Sequence, residues 1–247
     1  MVKNFSAALL FSLIPFTTFA ACNDPASPRV NWDGCDKRSV VLTGSDLREA
    51  VLKNAILTNV NMEKARLTDA DLGFAKLDHA KLNGIKAKNA RFVGANLQNA
   101  FLNKARLSGS KFDRANLMQV EMQNASASGS HFYNSNLTRA KLTGSDLSKA
   151  NLEQAILNEA NAQNTNFSQA IMKEAELEGA DFENANLTKA RLDEALLNDV
   201  SFRNADLQGA NLQSAEITGA DFSGAKLGNA IWINHKRCRP GSIGECK

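Results

Sequence analysis

From Val40 to Trp232 the chain keeps a five-residue rhythm without a single insertion. Every fifth position from 42 to 232 is reserved for one kind of side chain. These 39 positions hold 24 Leu, seven Phe, three Met, one Ile, one Trp and three Ala (Ala87, Ala127 and Ala162). Two residues earlier, at 40, 45 and onward to 230, 28 of the 39 residues are Ala, and the others are Ser, Val, Thr or Ile. Asp or Asn often stands just before the large apolar residue, as in Ala70-Asp71-Leu72, Ala95-Asn96-Leu97 and Ala210-Asn211-Leu212.

A period of five fits neither common element. A helix brings together residues three and four apart, and a five-residue step on it turns about 500°, which would spread the Leu over every side. A strand alternates with period two. The pattern predicts a path that turns a corner every five residues, as a square solenoid does. The Leu or Phe and the Ala before it then point inward, and the other three side chains face out or sit at corners. Ala is small because facing walls crowd one narrow core.

Repeats of the form Ala-(Asp/Asn)-Leu-x-x resemble those of the pentapeptide repeat family, over residues 40 to 232. The resemblance implies an all-β, single-domain fold: a right-handed quadrilateral β-helix with four pentapeptides per coil, about ten coils in all. The aromatic positions agree with four sides. Phe92, Phe112 and Phe132 are spaced by 20, and so are Phe182, Phe202 and Phe222. Each trio should stack as a column, the two columns on opposite walls. With coils ~4.8 Å apart, the rod should be roughly 45 Å long.

Such a rod separates the four cysteines. Cys22 and Cys35 fall in an N-terminal cap segment, 21–39, and Cys238 and Cys246 in a C-terminal one, 233–247. A disulfide needs Cα atoms within about 7 Å, so the local pairs Cys22–Cys35 and Cys238–Cys246 are expected. Each would tie down an end that would otherwise open the core to water. Trp32 and Trp232, near the two ends, are the expected lids. None of the cysteine spacings resembles a paired zinc motif.

Residues 1–20 have the form of a secretory signal peptide. Lys3 supplies the positive start, Ala7 to Phe16 the apolar run, and Thr18-Phe19-Ala20 the small residues before a cut at Ala21. The apolar run is too short to span a bilayer, and no later segment approaches the ~20 apolar residues that a transmembrane helix needs. The destination is the bacterial periplasm or the exterior, where disulfides form. Phe19-Ala20-Ala21-Cys22 is also similar to a lipobox, which would place a lipid anchor on Cys22.

Composition adds limits. Aromatics are 6% of 247 residues and the formal net charge is +3. That balance excludes a strongly basic nucleic-acid binder and a strongly acidic chain. Sorting outward residues by wall divides the charge. The wall centred on Leu47 and Leu67 carries Arg48, Arg66, Lys86, Lys88, Arg106, Lys149, Lys189 and Lys226 against five carboxylates, a net of +3. The opposite wall, centred on Leu57 and Leu77, comes to −4. The family also contains quinolone-resistance proteins that mimic DNA and bind gyrase. A ~45 Å rod would need roughly 26 negative charges to imitate a duplex, far more than any wall offers.

Nothing points to catalysis. His79, His131 and His235 are far apart in the lattice, no nucleophile, phosphate-binding or metal motif is present, and no cofactor is expected. One apolar feature breaks the polar surface: Phe74, Val93 and Tyr133 fall on one wall, with His131 beside Tyr133, as a candidate contact patch. The expectation is a non-catalytic exported scaffold that meets a protein or envelope partner, not nucleic acid.

Overall fold

The computed structural model describes residues 21–247, so the expected signal segment 1–20 lies outside the described residues. Parallel bridges join residues 20 apart, from Asn31↔Val51 through Asp46↔Arg66 to Asn211↔Ile231, and they recur every five residues along the chain. A rung every five residues and a register of 20 together make a four-sided coil. Each face is too short for an extended strand, so the ladders are built from isolated bridges separated by turns.

One repeat, Asp71 to Ala75, shows how the backbone is satisfied. The N–H of Asp71 donates to the carbonyl of Ala50 in the coil below (2.9 Å), and those of Leu72 and Phe74 donate to Arg91 (2.7 Å) and Val93 (2.9 Å) in the coil above. The N–H of Ala75 closes the corner on the carbonyl of Leu72 (3.1 Å). That leaves the N–H of Gly73, which donates to the Asp71 side-chain oxygen (2.9 Å). The Asp or Asn before each Leu thus accepts from the one amide that neither ladder nor turn can use. Asn136 serves Thr138 in the same way (3.0 Å), and Asn151 serves Glu153 (3.0 Å).

The fourth corner residue is left-handed: Asn54, Asn99 and Asn184 have φ of 55°, 57° and 58°. A positive φ at the third position of a turn is the type II geometry, which Asn and Gly accept most readily. Phe74 adopts it too, at φ 58°, which is uncommon for a bulky side chain.

The expected inward register holds. Leu47, Leu52, Leu147 and their equivalents are fully buried, as are Ala50, Ala55 and Ala150. At three positions where Ser or Thr replaces the inward Ala, the hydroxyl donates to a backbone carbonyl: Ser110 to Ala87 (2.6 Å), Ser130 to Leu107 (2.7 Å), Thr165 to Leu142 (2.7 Å). Phe92, Phe112 and Phe132 form one column, with ring centroids 4.7 and 4.9 Å apart and planes within 4°. Phe182, Phe202 and Phe222 form a second, at 5.6 and 5.1 Å, whose rings are more tilted.

Coiling begins before the regular repeats. Asn31 already pairs with Val51 and Asp36 with Ile56, so Val30, Trp32 and Cys35 take inward positions below Ala50, Leu52 and Ala55. At the next inward position a Lys replaces Leu, and Lys37 lays its ammonium 4.1 Å from the centre of the Trp32 ring. Trp32 is 1% exposed, and its indole N–H donates to the Asp24 carbonyl (3.3 Å). The segment before it therefore covers the end, and Trp32 is a buried floor. At the other end the chain reverses: Ile231↔Arg237 and Lys226↔Ile243 are antiparallel, and half-buried Trp232 meets Phe222 edge-on at 5.1 Å. Cys22 is bonded to Cys35 and Cys238 to Cys246, with Cα atoms 5.4 and 4.9 Å apart.

Candidate functional site: the outer walls

With the core filled, chemistry is left to the outer faces. The 20-residue register stacks outward side chains in columns, and several columns alternate in charge. Ion pairs join Arg29 to Glu49 (2.7 Å), Asp46 to Arg66 (3.3 Å), Asp71 to Arg91 (3.6 Å) and Glu121 to Lys141 (2.8 Å). Others join Arg139 to Glu159 (2.8 Å) and Glu183 to Arg203 (3.0 Å). The hydrogen-bonding cation holds the carboxyls of Glu49, Glu121 and Glu159 below the usual carboxylate range. These pairs are exposed, so each adds little to stability.

The column Asp46–Arg66–Lys86–Arg106 lies on the wall expected to be basic, and Ile156–Glu176–Leu196–Glu216 on the opposite, acidic one. A second pattern, along the rod axis, is missed when charges are summed by wall. Residues 79–112 contain Lys81, Lys86, Lys88, Arg91, Lys104, Arg106 and Lys111 and no Asp or Glu. Residues 150–221 carry thirteen carboxylates against four cations, a net of −9. Counting along the sequence would have found both.

The candidate apolar patch is only partly assembled. Phe74 is 59% exposed, and its ring lies against Gly94, so close that a Cβ there would fall 2.5 Å from it. Val93 is half-buried beside Gly94, so Phe74 and Val93 meet on neighbouring coils. Tyr133 stands two coils from Val93 with Asp113 between, and His131 follows Lys111 in its own column. No cluster of three or more His, Cys, Asp or Glu suited to a metal occurs among the described residues. Nor, among the described residues, is any helix long and apolar enough to cross a membrane.

The fold and surface define a class: a four-sided parallel β-solenoid with both ends tied by disulfides. The family model of pentapeptide repeats matches in overlapping stretches that together run from residue 38 to residue 231. The chain belongs to the pentapeptide repeat family, whose members fold as right-handed quadrilateral β-helices. Among solved structures, it is similar to HetL from the cyanobacterium Nostoc sp. strain PCC 7120, a pentapeptide repeat protein involved in heterocyst differentiation regulation. Identity is 28% over 86% of this chain and 94% of that one, with a TM-score of 0.51. It is also similar to a trypsin-treated form of QnrB1, a plasmid-mediated fluoroquinolone resistance protein, at 18% identity over 75% and 90% of the two chains, with a TM-score of 0.56. At that identity the second likeness concerns the fold alone. No curated protein sequence matches the chain.

Proposed function

We propose that the protein is an exported, non-catalytic interaction scaffold that presents rigid walls to a protein or envelope partner in the periplasm or outside the cell. On this reading residues 1–20 are removed as a signal, and the segments at 21–39 and 233–247 close the ends of the rod. The carrying observation is the pair of disulfides, Cys22–Cys35 and Cys238–Cys246, bonds that form and persist in oxidising compartments. The Cys22–Cys35 bond also speaks against a lipid anchor, because lipidation would consume the Cys22 sulfur. A core of Leu, Ala and Phe with ion-paired outer columns suits a surface that binds and does not react.

Cross-linking in intact cells followed by purification of the tagged protein tests this reading. Adducts should form with envelope proteins and weaken in the Phe74→Ser variant if the exposed Phe74 ring beside Val93 is the contact. Adducts confined to cytoplasmic proteins would contradict it.

A second reading, a DNA-mimicking topoisomerase-binding protein, is favoured by one observation. The −9 of residues 150–221 is spread over less than four coils. A duplex of that length, ~17 Å, would carry about ten charges. The disulfides oppose it. It predicts inhibition of DNA gyrase supercoiling by the purified protein, an effect that the scaffold reading does not expect.

A further inference from the structure

Where several columns set opposite charges on neighbouring coils, one stacks three cations in succession. Arg66 bridges to Lys86 and Lys86 to Arg106, three cations on successive rungs, with Lys88 two residues along the same wall. Arg66 is held by Asp46. Lys86, Lys88 and Arg106 form no ion pair among the described residues, although like charges that face each other across a ladder are destabilising. Residues 79–112 include no Asp or Glu, and Asp69, one coil away, is engaged by the Asn89 amide (3.1 Å).

The same three cations, with Ser108 and Ser126, line a shallow depression of about 380 Å³. The two hydroxyl oxygens are 3.4 Å apart. Every charged group in this depression is a cation, and the remaining polar side chains are hydroxyls. Two depressions elsewhere on the rod differ. The one lined by Glu121, Arg139 and Lys141 contains its own ion pair, and the one lined by Glu159, Glu178 and Asp199 is acidic.

We propose that Lys86, Lys88, Arg106, Ser108 and Ser126 form a binding site for a multivalent oxyanion, a phosphate or sulfate group with at least two negative charges. Rungs ~4.8 Å apart let neighbouring side chains reach one tetrahedral group. The Arg106 guanidinium can bind two of its oxygens side by side, the two ammonium groups supply charge, and the serine hydroxyls donate the remaining hydrogen bonds. An anion there would neutralise the repulsion of the cation stack. Binding should weaken steeply with salt, because the groups are exposed. The inference does not depend on export or on the partner proposed above.

The same chemistry is found in soluble phosphate monoesters and in the phosphomonoester headgroup of phosphatidic acid, and two probes separate them. Inorganic pyrophosphate is titrated into the ¹⁵N-labelled protein at low salt while amide shifts are followed. Separately, the protein is sedimented with phosphatidylcholine vesicles with and without phosphatidic acid. Shifts should be confined to the neighbourhood of residues 86–88, 106–108 and 126. The Lys86→Gln, Arg106→Gln double variant should weaken the response at least tenfold, and Lys76→Gln on the opposite wall should leave it unchanged. A response to pyrophosphate assigns a soluble ester, and co-sedimentation with the anionic vesicles alone assigns a headgroup. Because the double variant relieves like-charge repulsion, its melting temperature should hold or rise, and Lys88→Gln gives an independent second reading. Silence from both probes would overturn the site, as would equal shifts at every lysine. So would shifts in the belt that grow with protein concentration before any probe is added, which would mean that a second copy covers it.

Discussion

Phe112 lies flat on Phe132, with ring centroids 4.9 Å apart and planes within 4°, although twenty residues separate them in the chain. Only a coil of four pentapeptides brings them face to face, so this contact reports the register of the whole rod. The outward columns, and with them every charge relationship on the walls, inherit that register.

The inward register predicts a sharp contrast within one repeat. Leu147→Ala should cost about 2–5 kcal/mol by opening a cavity between coils. Ala150→Leu should cost about 1–3 kcal/mol or more by overpacking the same core. Ser148→Lys, on an outward position, should stay within about 0.5 kcal/mol. Denaturant unfolding of the three variants measures all of this, and a Ser148→Lys loss as large as that of Leu147→Ala would move the inward face.

The Asp or Asn before each Leu should contribute through one hydrogen bond. Asn136→Ala leaves the Thr138 amide without its side-chain acceptor, and should lower stability by about 1 kcal/mol. Asn136→Asp keeps an acceptor and should lose less. Equal losses in the two variants, measured by urea unfolding, would refute the assignment.

The end disulfides close short loops, with sequence separations of 13 and 8. By loop-closure entropy each should add ~2–3 kcal/mol. Reduction should also release the segment that covers Trp32 and the chain reversal that follows Trp232. Melting curves with and without reductant should therefore differ by several degrees, or the reduced protein should aggregate. Superimposable curves would remove the end-closing role.

The ion-paired carboxyls set the acid side of stability. Arg139 holds Glu159 below the ordinary Glu value, and Lys141 does the same for Glu121. A folded-state value below the unfolded one means that the stabilisation is complete above the unfolded value and disappears as pH falls through the folded one. The melting temperature should be level above about pH 5 and decline toward pH 3. Glu121→Gln should flatten part of that decline. A melting temperature that rises on acidification would reverse the assigned sign.

The rod was legible because one rule repeats. Leu at 47 and Ala at 50 carry the same message as Leu at 147 and Ala at 150, and the Phe spacing supplies the number of sides. The first coil was not legible, since Trp32, Cys35 and Lys37 fill its inward positions without the Leu and Ala signature. It is recognised only when Asn31 pairs with Val51. The cation stack was half legible. Arg66, Lys86 and Arg106 sort to one wall in the sequence, but a sum over the wall hides their adjacency and the acid-free stretch 79–112. The apolar patch was overdrawn, because sharing a wall does not make residues neighbours: Phe74 reaches Val93, while Asp113 stands between Val93 and Tyr133.

The central claim, an exported rod closed by two disulfides, is tested most directly by the intact mass of the protein recovered from cells under non-reducing conditions. The account predicts an envelope or medium fraction whose mass corresponds to a chain starting at Ala21, unmodified at Cys22, and four hydrogens lighter than the reduced form. A cytoplasmic protein that retains residues 1–20 with free thiols would contradict it, and so would a chain that begins at a lipid-bearing Cys22.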